Sequence, residues 1–208
     1  MKALDLFCGL GGWSDGLALE GFDVTGVEIE PKIAALNKHQ VIVADVCELN
    51  PKDFKGYDLI VGSPPCRDLC VIAETAGKTR WKDPPNPQRG LNLVKAYLKF
   101  VEVAKPTYWL MENTSLLEKH LKIKTRQKTS LGKGMLRGFW GNYPSFLVPR
   151  DYRHDFNFGE RKPLTSWERA RIPLPVARAL GVAVRQSLEA QSESCLTVLM
   201  KEVGEVKT

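Results

Sequence analysis

Short apolar runs recur along the first half of the chain, and each is bounded by turn residues. Such compact, β-prone runs are typical of strands buried in a parallel sheet. Between them lie amphipathic segments at 13–21 and 91–104, the second with its apolar residues on one helical face. The five apolar runs are ALDLF (3–7), DVTGVEIE (23–30), VIVADV (41–46), YDLIVG (57–62) and YWLME (108–112).

This alternation of strand and helix predicts an α/β fold with a mainly parallel, Rossmann-like sheet and helices on both faces. The length of 208 residues fits one domain with at most a small appendage. We predict an α/β core over 1–121, a short irregular basic region over 122–165 with one or two strands around SFLVP, a C-terminal helix returning to the core over 166–190, and a tail over 191–208 that is a strand or frayed.

Composition narrows the class of protein. No stretch approaches the roughly 20 apolar residues of a membrane helix, and the N-terminal apolar run is too short for a signal peptide. We therefore expect an intracellular protein in the cytoplasm. The five cysteines are scattered, which argues against a disulfide framework, and neither they nor the three histidines have the spacing of a metal site.

The charge pattern indicates a polyanionic partner. The net charge is +6 and the pI about 9.1, and Lys and Arg concentrate without acids in KIKTRQKTSLGKGMLR (122–137). Two further basic segments, GKTRWKDPPNPQRG and VPRDYRH, include aromatic residues. Solvated loops would explain the same pattern, but we favour contact with nucleic acid.

Polar residues follow the first three apolar runs, where ligands bind in open parallel sheets. The first run enters FCGLGG (7–12), whose glycines permit a sharp turn and close approach to a ligand. Glu28 and Glu30 end the second run, where a carboxylate can bind ribose hydroxyls. Asp45 ends the third run, where a carboxylate can accept a hydrogen bond from an adenine amino group. Each alone is typical of an ordinary loop; together they predict a nucleoside cofactor.

The fourth run ends in VGSPPC. Two prolines make a stiff, extended segment, so the position of Cys66 is fixed before substrate binds, which suits a nucleophile. A buried structural cysteine is the alternative. The fifth run ends in Glu112-Asn113-Thr114, which places a carboxylate where it can face Cys66.

Four motifs, LDLFCGLGG, VGSPPC, MENT and ERARIPLPVARAL, occur in the order found in DNA cytosine-5 methyltransferases. Over about residues 3–188 the chain resembles that family, and it looks most similar to compact members from phages and archaea. The resemblance implies a class I S-adenosylmethionine-dependent fold. It also implies that the cofactor contacts Phe7, Gly9, Leu10, Gly11, Glu28 at the ribose, Ile29, Asp45 at the adenine, Val46 and Pro65.

The resemblance further implies a catalytic set. Cys66 adds to C6 of cytosine, Glu112 holds or protonates N3, and an arginine holds the flipped base. The family's Q-x-R-x-R-like segment is not matched here, so the arginine is open: Arg137 is the first choice, Arg153 the second and Arg126 the third. We interpret Cys70, four residues after Cys66, as incidental.

Only a short segment separates GFWGNYP from SWERARIP, where familiar members carry a large recognition domain. The chain is therefore expected to bind DNA mainly through phosphates, with low sequence specificity or a separate specificity partner. The expected contacts are Arg80, Lys82, Arg89, Arg126, Arg150 and Arg153.

The predicted function is transfer of a methyl group to C5 of cytosine in DNA, in restriction-modification, self-protection or regulation. Two alternatives stay open: the same chemistry on RNA such as transfer RNA, and a non-catalytic protein of the same fold that binds cofactor and nucleic acid.

Overall fold

A seven-stranded sheet forms the centre of the protein. The computed structural model describes residues 1–69, 84–121, 123–131, 136–148 and 166–205. The sheet order is β3-β2-β1-β4-β5-β7-β6, with β1 to β5 parallel and β7 antiparallel to both of its neighbours. The strands are β1 (Lys2–Leu6), β2 (Asp23–Glu28), β3 (Gln40–Val43), β4 (Leu59–Gly62), β5 (Tyr108–Thr114), β6 (Gln127–Ser130) and β7 (Leu136–Asn142).

All five strands predicted from the apolar runs are confirmed, although their ends differ by a few residues. The central strands are covered on both faces, and every residue of β4 is buried. A strand buried on both faces needs apolar residues at successive positions, which is why these runs do not alternate with polar residues.

Helices cover both faces of the sheet, as predicted for a Rossmann-like fold. On one face, α1 and α5 pack together and form a core that includes Leu17, Leu110 and Leu180. On the other face, α3 contributes Val94 and Phe100 to a second core. The helices are α1 (Gly12–Leu19), α2 (Pro31–Ala34), α3 (Pro87–Ala104), α4 (Ser166–Ala170) and α5 (Leu174–Glu205).

The prediction of an irregular region after residue 121 was wrong in part. Strands β6 and β7 lie in it, whereas 145–148 of SFLVP form no strand. The sequence of β7 contains Gly138 and Gly141, which lowers its strand propensity. Its pairing with two neighbours overrides that propensity, and a Cβ on Gly141 would lie 2.1 Å from the Trp109 carbonyl oxygen, so the close pairing requires glycine there.

The prediction that the last residues form a strand or a frayed tail was also wrong, because α5 continues through 191–205. Between Gly181 and Gly204 the sequence has neither proline nor glycine, so nothing in it breaks the helix.

Within the described ranges, no helix has the length and apolar character needed to cross a membrane.

Candidate active site

The glycine turn, residues 7–12, joins β1 to α1. Gly9 and Gly11 have φ values of 51° and 78°, and Phe7 adopts a φ of 60° without being glycine. Left-handed conformations are costly for a phenylalanine, so the surrounding structure must hold Phe7 in place. Hydrogen bonds from the Cys8 amide to the Val27 carbonyl at 2.9 Å and from the Gly11 amide to the Cys8 carbonyl at 2.8 Å do so.

Glu28 holds the glycine turn from the end of β2. Its Oε2 accepts the Gly9 amide at 3.0 Å, its Oε1 accepts the Glu30 amide at 2.9 Å, and the residue is only 4% exposed. Asn37 adds a bond from Nδ2 to the Gly9 carbonyl at 3.2 Å. A carboxylate has about four lone-pair sites, so Glu28 can still accept a further donor. Its predicted contact with a ribose stays a prediction.

Of the other predicted cofactor residues, Pro65 is exposed after β4, and the rest lie at or beside the ends of β1, β2 and β3. Asp45 follows β3, and its Oδ1 accepts the Cys47 amide at 2.8 Å. Val46 is buried, Ile29 is exposed beside Glu28, and Leu10 is half-buried in the turn. Because β1, β2 and β3 are parallel neighbours, their carboxyl ends share one edge of the sheet.

Trp167 of α4 lies beside the glycine turn and was missed by the sequence reasoning. A Cβ placed on Gly9 would be 3.7 Å from Cε3 of its indole, and Trp167 is 39% exposed. A single aromatic residue about 150 residues away in sequence carries no signal that would assign it to this turn.

Asp5 was missed as well. It lies in β1 and is buried, and its Oδ2 accepts the Ser14 amide at 3.2 Å and the Ser14 hydroxyl at 2.6 Å. Burial raises the pKa of Asp5 to about 7, although the bonds from Ser14 oppose this rise. Asp5 thus fixes the first turn of α1 directly after the glycine turn.

The proline turn, Ser63–Cys66, follows β4 and is anchored from three sides. The Pro64 carbonyl accepts the side-chain amide of Asn113, which is fully buried, at 2.8 Å. The Ser63 hydroxyl accepts Nε1–H of Trp13 at 3.0 Å. After the turn, the Leu69 amide donates to the Cys66 carbonyl at 3.0 Å. The backbone on both sides of Cys66 is therefore fixed by hydrogen bonds.

Cys66, Glu112 and Arg137 meet at the ends of three strands. An Nη of Arg137 lies 3.1 Å from Sγ of Cys66, and Nε lies 3.3 Å from Oε1 of Glu112. Glu112 is 5% exposed, and the Arg137 side chain 16%. In the antiparallel register Arg137 pairs with Thr114, and Glu112 with Phe139, so both side chains project from the same face.

The cluster combines a thiol, a carboxylate and a fixed cation. Across the part of the chain that the structure describes, no group of three or more His, Cys, Asp and Glu side chains is placed to hold a metal ion. The three side chains together offer a sulfur nucleophile with a neighbouring carboxylate and guanidinium.

The predicted phosphate contacts are only partly visible. The Arg89 guanidinium pairs with Asp68 through Nε at 2.7 Å and an Nη at 2.8 Å, and its contact with a phosphate stays a prediction. Arg126 is exposed and lies over the Tyr143 ring, 4.4 Å from its centroid. The predictions for Cys70, Arg80, Lys82, Arg150 and Arg153 fall outside the described residues.

The chain matches a known protein family over the region that carries most of its motifs. The family model for C-5 cytosine-specific DNA methylases matches residues 1–131, more than half of the chain. This match and the sheet together identify a Rossmann-like, class I S-adenosylmethionine-dependent methyltransferase fold.

Similar proteins include Type II methyltransferase M1.HphI from Haemophilus parahaemolyticus, 33% identical over 135 residues that cover 59% of this chain and 35% of that protein. Type II methyltransferase M.HgiGI from Herpetosiphon aurantiacus is 30% identical over 54% of this chain and 90% of that protein. A solved structure, the S. pombe Dnmt2 methyltransferase, has a TM-score of 0.44 and 17% identity over 68% of this chain and 48% of that chain. The chain thus spans about a third of M1.HphI. From the motifs and the match over residues 1–131, the chain belongs to the C-5 cytosine-specific DNA methylase family.

Proposed function

We propose that this protein transfers a methyl group from S-adenosylmethionine to C5 of cytosine in DNA, through a covalent adduct between Cys66 and C6 of the base. The observation that carries this proposal is the meeting of Cys66, Glu112 and Arg137 after β4, the strand that pairs with β1. The names of the similar proteins, which are Type II methyltransferases, support it. We place the reaction in the cytoplasm.

The residues at the ends of β1, β2 and β3 fit the cofactor. Gly9 in the glycine turn has a left-handed φ and is half-buried, and Glu28 and Asp45 supply carboxylates for ribose hydroxyls and an adenine amino group. Trp167 beside Gly9 gives an apolar wall. When bound, S-adenosylmethionine supplies an electrophilic methyl group.

The cluster at Cys66 provides the remaining chemistry. The Arg137 guanidinium favours the thiolate form of Cys66, and the thiolate is the nucleophile that adds to C6. Glu112 holds or protonates N3, which prevents negative charge from building up in the ring. C5 then accepts the methyl group, a base removes the C5 proton, and Cys66 is eliminated. The cytosine must leave its stack to reach these groups.

DNA affinity is proposed to come mainly from phosphate contacts, which carry no sequence information directly. Arg126 and the basic residues outside the described ranges are the candidates. We expect a short or degenerate target, or a separate partner that supplies specificity. Binding should weaken with salt, with a log–log slope of about −0.9 for each phosphate neutralised.

The direct test is bisulfite sequencing of unmethylated DNA incubated with the purified protein and cofactor. Conversion-resistant cytosines should appear with the wild type and not with Cys66→Ser. Glu112→Gln should lower the rate about 10²- to 10⁴-fold, because a neutral amide cannot pass a proton to N3. DNA containing 5-fluorocytosine should form a stable adduct at Cys66. Methylation of matched RNA but not of DNA would contradict the proposal that DNA is the substrate. The absence of an adduct with either nucleic acid would contradict the proposal that the protein is an enzyme acting through Cys66.

A further inference from the structure

Asp68 and Arg89 form a two-point ion pair close to the nucleophile. Arg89 Nε donates to one carboxylate oxygen of Asp68 at 2.7 Å and an Nη donates to the other at 2.8 Å. Asp68 is buried, whereas the Arg89 side chain is 41% exposed. The hydrogen bond from Arg89 is the largest cause that lowers the pKa of Asp68. Such forked pairs fix geometry as well as charge.

The same carboxylate binds the start of α3. Oδ1 of Asp68 accepts the backbone amide of Asn86 at 3.1 Å. Asn86 in turn caps α3, because its Oδ1 accepts the amides of Gln88 and Arg89. Gly90 completes the contact: a Cβ there would lie 2.9 Å from Leu69 and 3.1 Å from Asp68. The first turn of α3 therefore packs directly against residues 68 and 69.

Residues Arg67–Leu69 form a 3₁₀ turn that begins immediately after Cys66. That turn is closed by the bond from the Leu69 amide to the Cys66 carbonyl. Before Cys66, Asn113 holds Pro64. The Asp68–Arg89 pair thus fixes the backbone that follows Cys66, as Asn113 fixes the backbone that precedes it. Arg89 lies on α3, a helix that carries none of Cys66, Glu112 and Arg137.

We propose that Asp68 and Arg89 are positioning residues, which hold Cys66 against Arg137 by tying the turn after Cys66 to the first turn of α3. The effect on methyl transfer rests on the proposed function; the effect on the thiol does not. The competing role for Arg89 is a phosphate contact, which would change DNA affinity and its salt dependence rather than the chemistry of Cys66.

The test compares Arg89→Met and Arg89→Lys with Arg178→Met. Arg178 is a matched control, because it also forms an ion pair with a buried carboxylate: its Nε lies 2.7 Å from a carboxylate oxygen of Glu20. This pair joins α5 to the end of α1, and both residues are far along the chain from Cys66. The first readout is the pH dependence of Cys66 alkylation by iodoacetamide, followed by peptide mass spectrometry without DNA or cofactor. The others are kcat and KM for DNA, the salt slope of DNA binding, and the unfolding midpoint.

In Arg89→Met, the pH midpoint of Cys66 alkylation should rise by about half a unit or more, because the contact with the Arg137 cation is loosened. We expect kcat to fall about 10- to 100-fold, as a small misplacement of a reacting group does, with KM and the salt slope unchanged. Arg89→Lys should recover part of both effects, because lysine keeps the charge and loses the fork. Arg178→Met should lower the unfolding midpoint and change neither alkylation nor kcat.

Three results would overturn the proposal. One is an unchanged alkylation profile in both Arg89 variants, and another is the same shift in Arg178→Met, which would indicate general loosening. The third is a log–log salt dependence of DNA binding that is shallower by about 0.9 in the Arg89 variants while kcat stays normal, which would assign Arg89 to a phosphate contact. If the wild type methylates no DNA but the alkylation shift is seen, the positioning role stands and the proposed function fails.

Discussion

The glycine turn and the proline turn follow two adjacent parallel strands, β1 and β4, yet they are built in opposite ways. The glycine turn depends on left-handed φ values at Phe7, Gly9 and Gly11. In the proline turn, Pro64 and Pro65 fix their own φ angles near −65°, and no residue of that turn has a positive φ. The first turn can present backbone to a ligand, and the second presents one side chain, that of Cys66.

The supports of the two turns differ in charge. Buried acidic side chains, those of Glu28 and Asp5, hold the glycine turn and the helix that follows it. The proline turn is anchored by neutral groups, Asn113 and Trp13, and its cysteine faces the cation of Arg137. Acids beside one turn suit hydroxyl and amino donors of a cofactor, whereas a cation beside the other suits a thiolate. Each turn can therefore be damaged without the other.

The largest effect is expected from Cys66→Ser. Turnover should be lost, because a hydroxyl at neutral pH is far less nucleophilic than a thiolate. Binding of S-adenosylhomocysteine, measured by calorimetry, should stay unchanged, because the glycine turn is intact. Cys47→Ser, which changes an exposed thiol, is the control. Loss of cofactor binding in Cys66→Ser would show that the two turns are not independent.

Asp5→Asn should remove a pH dependence of stability. The pKa of Asp5 is about 7 in the folded protein and about 3.9 in an unfolded chain. Between these values the folded state binds a proton that the unfolded state has lost, so the free energy of unfolding falls as pH rises from about 4 to about 7. The slope for this group is about 1.4 kcal/mol per pH unit.

Urea unfolding of wild type and Asp5→Asn at several pH values measures this effect. The wild type should lose stability relative to the variant by up to about 4 kcal/mol between pH 4 and pH 7. The nearby carboxylates Glu28 and Asp15 are present in both proteins, so the difference isolates Asp5. A difference that does not change with pH would mean that Asp5 keeps an ordinary pKa.

Asn113→Ala tests the anchor of the proline turn. The free energy of unfolding should fall by about 1–3 kcal/mol, because the buried Pro64 carbonyl loses its donor. Asn142→Ala is the matched control: its side chain also donates to a backbone carbonyl, that of Thr107 at 3.2 Å, but at an exposed position. Chemical denaturation should show a much smaller loss for Asn142→Ala. Equal losses would argue against a special role for the buried anchor.

Glu28→Gln should give the smallest effect and the most specific one. We expect affinity for S-adenosylhomocysteine to weaken by about 1–2 kcal/mol, because a charged acceptor at the glycine turn becomes neutral. Glu30→Gln changes the exposed carboxylate two residues later, and calorimetry should find its affinity close to that of wild type. The reverse order would move the ribose contact from Glu28 to Glu30.

The sequence predicted the five parallel strands, because strands buried on both faces require uninterrupted apolar runs that are visible locally. It also indicated that Cys66 and Glu112 end neighbouring strands, since parallel strand ends share one edge. It placed the one or two strands expected after residue 121 around SFLVP, whereas the structure has them at β6 and β7. Glycines in β7 lower the local strand signal, and only pairing with β5 and β6 compensates for them.

The sequence by itself therefore determined the order of strands along the chain, the family motifs and the two turns, because each depends on residues that are close in the chain. Only the tertiary structure decided which arginine meets Cys66, since the antiparallel register of β7 places Arg137 beside Cys66 and Glu112. It likewise placed Trp167 at Gly9 and paired Arg89 with Asp68. These contacts join residues that are distant in sequence, and the packing of helices and strands against each other fixes them; no local pattern encodes such a contact.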